Sequence, residues 1–516
     1  MTPWLQTLFG QGPRLTPQAA LAAPKTAGPD TLSADVASMQ SIWRTIADVL
    51  EGHDAIKAAG ERYLPKFEKE SREKYQRRLM DAPWRPIFPA ALESLAAKPF
   101  QKPVTLNGTP PKAMQTFAEN VDGRGNSLSV FARILFDDAV AFGPGLFMVD
   151  YSRSVPRADG KPLTRADERA QGLRPYWVRI HPRDIIDIRT EWVRGREVVT
   201  HARFFERAAV ANGFAEETVT RVRFLERDTG GAGARWTLWQ QATGGAWIEI
   251  DSGLITIGEI PLVMFHVGKR KGVVSCKPWS YELCHVALEY YRSLARQTEI
   301  ENFSGWPILA GQGVAKPDDA DSITVGPHAV LYAQPSGDGG RPEWELIGPD
   351  AALVAEIAKG PERIAEVFSK LALEPTLPRS NVTATAAGID NSRAHSAIES
   401  WAIALKNALD EGLAFTAKWL QIADVTTANV STDFAALAGG AEEAKVLASA
   451  QQRGVISAKT ERNELRRRSI LGPDAPDDET EEEQIALERE GLEPEFETNP
   501  RTGEPIDPAE RLEAAE

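Results

Sequence analysis

The chain has 516 residues, more than one hydrophobic core usually organises, and an ordinary globular composition, with 42% apolar and 26% charged residues. Its net charge of −14 argues against general binding along polyphosphate, because that affinity comes from Lys and Arg neutralising phosphates. The charge is uneven: residues 474–516 carry 17 acidic side chains against Arg489, Arg501 and Arg511, whereas residues 1–473 carry 56 of each sign. That Pro- and Glu-rich end, 474–516, is expected to be a disordered, solvated appendage.

Cys276 and Cys284 are the only cysteines and have no C-x-x-C spacing, so neither a disulfide framework nor a metal site is signalled. A reducing cytoplasm fits that usage. The N-terminus lacks a basic stretch followed by a long apolar run, and no continuous spanning segment follows. A chain outside the usual secretory route and not integral to a membrane is expected.

In chain order, residues 1–41 are rich in Pro, Ala and Thr and read as a loose arm. From Ile42 apolar residues recur at helical intervals, with a break at Pro65 and a stop near Pro83. A short helix fits FPAALESLAAKPF. In NSLSVFARILFDDAVAFGPGLFMVDYS, Ser127 caps a helix that Gly143 ends, and a buried strand runs from Leu146 to Tyr151. From Pro175 to Val267 the pattern is β: PYWVRIHP, EVVTHARFFER, TVTRVRFLERD, ARWTLWQQ, AWIEIDS and LVMFHV recur between turn signals, which predicts a half-buried antiparallel sheet.

Helix returns from Pro278 to Phe303, with Leu283, Val286, Ala287, Tyr290, Leu294 and Phe303 near one face. A short β-rich insert spans Ile308 to Ile347. The next helical stretch is expected to break at Gly360-Pro361, with Pro361 opening a new helix. After the polar EPTLPRSNVTATAAGID, the longest periodic run extends from Ser392 to Gln421 through Ile398, Trp401, Leu405, Leu409, Leu413, Thr416 and Leu420. A strand-like NVSTDF precedes a final helical pair, the first ended by Gly454 and the second capped by Thr460. Arg466, Arg467 and Arg468 sit in the last turn, where exposed carbonyls favour cations.

Signatures of chemistry are sparse. Gly268-Lys269-Arg270-Lys271-Gly272 lacks the spacing of a phosphate-cradling loop, and no zinc-protease, serine-hydrolase or EF-hand pattern occurs. The seven histidines, His53, His181, His201, His266, His285, His328 and His395, are scattered singly, so packing or surface roles are expected. Cys284 and His285 are helix neighbours whose side chains diverge. Asp137 and Asp138 also point apart, which favours a solvated face. Trp236, Trp239 and Trp247 lie in β segments and suit sheet packing.

The order of these parts resembles the portal proteins of tailed double-stranded-DNA phages and related prophage elements, from about Ile42 to Leu471. The resemblance rests on GERYLPKFEKESREKYQRRLMDAPWRPIF, FARILFDDAVAFGPGLFMVDYS, PYWVRIHPRDII, ENFSGWPILAGQG and GVISAKTERNELRRRSIL in that order. It implies a mixed α+β fold of portal architecture with an antiparallel β wing and a long spine helix. The implied parts are a wing over residues 42–274, with helices in 42–142 and β structure in 145–267, and a stem helix over 275–304. A clip over 305–348, a return stem helix over 349–373 and a tunnel loop over 374–390 follow. The spine helix is then 391–425 and the crown 426–473.

The resemblance also implies a homo-oligomeric ring, a dodecamer, at the capsid portal vertex of the virion, assembled in the host bacterial cytoplasm. Double-stranded DNA would pass through its channel, and the partners would be the large terminase, major capsid and scaffold proteins, and head-completion or adaptor proteins. No cofactor, metal, membrane or catalytic activity is implied. The tunnel loop would offer Arg379, Ser380, Asn381, Thr383 and Thr385 to the duplex, and the clip would offer Trp306, Lys316, Arg341 and Trp344 to the terminase. Two other readings are open: another phage head or tail adaptor, and a metal-dependent nucleic-acid hydrolase using Asp137, Asp138 and Asp150.

Overall fold

These periodicities are realised as a mixed α+β fold with predominantly antiparallel sheets in a computed structural model. It describes residues 28–153, 155, 164–228, 233–242, 244–304, 308–312, 330–333, 343–347, 351–372, 384–432, 441–467, 471 and 478–490. The chain divides into two units, Met1–Thr432 and Asp433–Glu516.

The expected N-terminal arm is shorter than its composition suggests. Ser33 caps α1 (Ala34–Ala37), Val36 and Met39 are buried, and Ser33 N–H donates to Ile186 O at 3.0 Å. Asp35 accepts hydrogen bonds from the amides of Val274 and Ser275 at 2.7 and 3.2 Å, which ties residues 33–39 to the body. The following helical region is punctuated by glycines as well as proline: α2 (Gln40–Glu51) stops at Gly52, α3 (His53–Ala59) at Gly60, and α4 (Arg72–Asp81) comes after Pro65. Lys57 donates to the carbonyls of Leu79 and Ala82 at the end of α4, where the helix dipole favours a cation. Arg78 forks onto Glu70 through Nε and Nη2, both at 2.8 Å, in an almost fully buried pair. Then come α5 (Ile87–Ala97), the two-residue β1 (Thr105–Leu106) and α6 (Lys112–Glu119).

Helix α7 (Leu128–Phe142) starts at its Ser127 cap and ends at Gly143. Gly143 has φ +99°, and a Cβ there would lie 2.1 Å from Cys276 Sγ, so the turn requires glycine twice over. Behind that turn β2 (Pro144–Tyr151) is the centre of a three-stranded antiparallel sheet; α8 (Arg165–Ala170) precedes its first edge strand, β3 (Pro175–Ile180). A second sheet is a five-stranded antiparallel meander of β4 (Ile185–Val193), β5 (Arg196–Asn212), β6 (Ala215–Asp228), β7 (Gly233–Gln241) and β8 (Trp247–Ile255). β9 (Leu262–His266) returns to the first sheet as the other neighbour of β2. β10 (Lys269–Arg270) and β11 (Cys276–Lys277) form a small hairpin, so Gly268–Gly272 holds one of its strands and not the start of a helix.

The sequence pattern gives no signal for strand β4. Its IIDI start is buried and its end exposed, a pattern without strict alternation, and the preceding Pro182-Arg183-Asp184 turn hides its beginning.

Three helices and an insert follow. α9 (Trp279–Ser304) buries Leu283, Cys284, Ala287, Leu288, Tyr291 and Ala295, so the inner face is rotated about one residue from the predicted one, with Tyr291 inside in place of Tyr290. In the insert, β12 (Ile308–Gln312) pairs parallel with β13 (Val330–Ala333) and antiparallel with β14 (Glu343–Ile347). α10 (Ala351–Leu371) packs along α9 and runs through Gly360-Pro361 without a break. A Cβ on Gly360 would approach Ser293 Oγ to 3.2 Å, so the glycine allows close approach of α9, and that packing keeps helical a step that proline alone would interrupt.

α11 (Ala384–Leu420) has 37 residues, which at 1.5 Å each is about 55 Å. Ile398, Leu405, Leu409, Leu413 and Thr416 are fully buried, as the periodicity predicts. It begins inside the expected tunnel-loop interval, so residues 384–390, Thr385 among them, are helical; Ala384–Ala387 are mostly good helix formers. The segment closes on β15 (Ala428–Asn429), paired with β1; of the strand expected at NVSTDF only Asn429 is in a strand among the described residues.

In the second unit, α12 (Ala441–Gln452) ends at Gly454, as expected. α13 (Ala458–Arg467) is capped by Ser457, whose hydroxyl accepts from Thr460 N–H at 3.1 Å, three residues ahead of the predicted cap. The acidic end is not wholly irregular: α14 (Asp478–Glu490) is helical, and its Glu482 meets Arg462 of α13 at 2.5 Å. Glu, Gln, Ala and Leu have high helix propensity, and acidic residues near the N-terminus suit the dipole. Composition alone overlooked both. Among the described residues no helix is long and apolar enough to cross a membrane.

Candidate functional site

The part of the chain with the most distinctive geometry is 279–420. Here α9 leads to the three-stranded insert, α10 returns along α9, and α11 follows. Its foot is locked to the rest of the first unit. Trp177 Nε1 donates to Thr416 Oγ1 at 2.9 Å, and inside the segment Trp279 meets Trp401 at 5.5 Å between ring centroids. Gly412 lets β2 and β3 approach α11, since a Cβ there would sit 2.6 Å from Phe147 and 3.0 Å from Trp177. Lys418 pairs with Glu259, which also meets Arg196 at 3.0 Å.

Of the residues singled out from sequence for the channel and the clip, Arg379, Ser380, Asn381, Thr383, Trp306, Lys316 and Arg341 lie outside the described residues. Thr385 is in the first turn of α11. Trp344 is on β14 opposite Gly311 and is 49% exposed. Thr385 and Trp344 are therefore carried by different elements, the start of α11 and the insert.

The three carboxylates considered for hydrolysis each meet a different arginine. Asp137 pairs with Arg133 at 2.8 Å along α7. Asp138 is only 6% exposed, not on a solvated face, and receives Arg179 Nε and Nη2 at 2.5 and 2.7 Å. Burial pushes both carboxyls above their ordinary range, and the arginine beside each opposes that rise. Asp150 accepts from Tyr176 Oη at 3.2 Å and lies 3.4 Å from Arg223. Burial, with Asp150 adding to it, lifts the Tyr176 phenol to about 12. Among the described residues no three carboxylate, imidazole or thiol groups gather at a spacing that could hold a metal.

Asp187 is held by Arg189, Arg203 and His201 at 2.9, 3.2 and 3.3 Å. Burial alone would raise its carboxyl, but those neighbours bring it down to about 2. His181 rests edge-on against Phe142, and burial pushes its imidazole, like that of His266, down to about 4. Both are neutral at physiological pH. His285 is exposed beside Tyr281 while Cys284 is buried, the divergence expected of helix neighbours.

A cavity of about 870 Å³ opens between the two sheets and the end of α11. In it the Arg153 and Arg223 guanidinium groups both lie over the Trp236 ring, 5.0 and 5.3 Å from its centroid. Trp236 thus packs a sheet, as expected, but against cations. No spacing rule couples β3 to α7 or β6 to β2 in advance, so Arg179 and Arg223 carry no signal in the sequence.

Burial lifts the Cys276 thiol to about 12 and Cys284 well above the ordinary thiol range. Neither is a nucleophile at neutral pH. Iodoacetamide at pH 8 is expected to leave both unmodified in the native protein and to label both in denaturant; native labelling read by mass spectrometry would contradict this burial.

Residues 281–420 match the family described as Domain of unknown function (DUF4055), which covers little more than a quarter of the chain. No curated protein matches. Among solved structures, a chain in the neck of a native gene transfer agent particle, computed with C12 symmetry, has 10% identity and a TM-score of 0.35, covering 72% of this chain and 87% of that one. A chain in the virion of the native gene transfer agent particle has 11% identity and a TM-score of 0.38, covering 79% and 97%. A chain in the neck of the empty particle, computed with C6 symmetry, has 11% identity and a TM-score of 0.36, covering 80% and 98%. Overlaps this low decide neither fold nor role.

Proposed function

We propose that this chain is the portal subunit of a tailed double-stranded-DNA phage or related prophage element, a structural conduit with no chemistry of its own. The observation that carries this reading is the order of parts in residues 279–420: helix, β insert, a helix returning along the first, then a helix of 37 residues. Portals use that order for stem, clip, return stem and spine, and one family match spans nearly the same stretch.

On this reading the subunits form a ring, a dodecamer, at one capsid vertex of the virion, surrounded by major capsid and scaffold proteins. The insert within 305–348 docks the large terminase and later the head-completion proteins, and the terminase ATPase supplies the packaging energy. The segment before α11 faces the duplex with small polar side chains and Arg379. Few cations there keep phosphate affinity low, so the channel conducts DNA without braking it.

Negative-stain images of the purified protein are expected to show rings. Monomers at every concentration and salt would overturn the proposal. In particles, an antibody to this chain is expected to mark one vertex; a tail position would point to an adaptor role instead.

A further inference from the structure

β5 pairs with β4 only as far as Phe204, and β6 pairs with β7 only from Arg221 onward. Between them, the strand pairing of Arg207–Asn212 and Ala215–Thr220 is only with each other, as a two-stranded ribbon that leaves the sheet. It turns at Gly213, φ +65°, and Phe214, whose side chain is completely exposed. Glu216 and Glu217 follow, also exposed, and Val210 is 41% exposed. A two-stranded hairpin with both faces in water is marginally stable, so an apolar tip on one calls for a partner.

The body holds a complementary surface. A pocket of about 620 Å³ is lined by Arg44, Arg62 and Arg183 with Gln40 and Thr45 over the buried Trp43. Arg62 and Arg183 meet Asp48 and Glu51 at 2.8 and 3.5 Å in solvent-exposed pairs that an incoming carboxylate can replace, and no described carboxylate pairs with Arg44. The two surfaces cannot meet within one chain. Among the described residues the ribbon's last ion pair to the body is Arg207 to Asp184 at 2.8 Å, next to the pocket residue Arg183, and the strand runs five residues farther, about 17 Å, to Asn212 before the turn that carries Phe214.

We propose that the ribbon tip, Phe214 with Glu216 and Glu217, docks into the Arg44, Arg62 and Arg183 pocket of an adjacent copy of this chain. Such a contact is heterologous, and head-to-tail repetition closes a ring when the rotation permits. The inference rests on the ring reading above and names the surfaces that join neighbours.

The test uses the full chain in sedimentation velocity over a range of concentrations. Glu216→Arg/Glu217→Arg and Arg44→Glu/Arg183→Glu are each expected to raise the concentration for half-assembly about tenfold or more, and the four changes combined to bring it back to within about threefold of the unsubstituted chain. All these residues are exposed, so folding is preserved, and recovery in the combined variant separates pairing from damage. If the unsubstituted chain assembles and the double variants match it, the docking contact is overturned while the ring stands. Failure of the combined variant to recover also overturns the contact. An unsubstituted chain that never assembles removes both readings.

Discussion

Arg179→Ala is expected to lower stability by about 3 kcal/mol at pH 7, because it strands the Asp138 carboxylate in the protein without its cation. The loss is at the lower end for a broken buried pair, since the guanidinium is itself partly exposed. The pH dependence has a definite sign. Burial raises the Asp138 pKa above its unfolded value, so the stability linked to this group is fully present below about pH 4 and falls as pH rises toward the folded pKa. Without Arg179 nothing opposes that rise, and the gap between variant and parent should narrow as the pH is lowered to about 4. Urea denaturation at several pH values measures it. Asp138→Leu/Arg179→Leu should recover most of the loss, because well-packed apolar side chains replace a buried pair at little cost. A variant within about 0.5 kcal/mol of the parent at pH 7 would show that the pair is dispensable.

Trp177→Ala should have the largest effect of any single change in the first unit, about 3–5 kcal/mol. The ring is 1% exposed, meets Phe117 and Phe131 edge-on at 5.6 Å, and tilts over Phe147 at 4.6 Å. Its Nε1 also donates to Thr416 Oγ1, which in turn donates to Gly412 O at 2.9 Å. Trp177→Phe keeps most of the packing and loses that donor, for about 1–3 kcal/mol. Since one residue joins β3 to α11, its loss should free the amides of residues 405–420 to exchange. Hydrogen exchange by mass spectrometry reads this directly, and undiminished protection of α11 in Trp177→Ala would falsify the coupling.

What could be read from the sequence follows the range of the forces involved. Local signals were reliable: Ser127 and Gly143 bounded α7, alternation placed β3 and β5–β9, and the Ile398–Thr416 spacing placed the buried face of α11. Long-range partners were not legible. The Asp138 carboxylate looked solvated because its cation lies 41 residues away on another element. Gly360-Pro361 looked like a break because the neighbour that accommodates it, Ser293, is on α9. Length and propensity could have found α14, had acidic composition not been equated with disorder. For the proposed channel and clip, sequence pattern supplied their order along the chain and the structure supplied Trp344 and Thr385; the other residues singled out lie outside the described ones.

The tie between Trp177 and Thr416 joins positions 239 residues apart, and Asn107 bonds to Thr427 across 320. A ribosome adding about 5–20 residues each second needs on the order of 10–50 s to go from the first tryptophan to its partner. During that interval the aromatic cluster of β2 and β3 has no α11 to cover it. Nascent chains halted before residue 416 should therefore be bound by chaperones or aggregate, and the first unit completes its folding only once α11 has emerged.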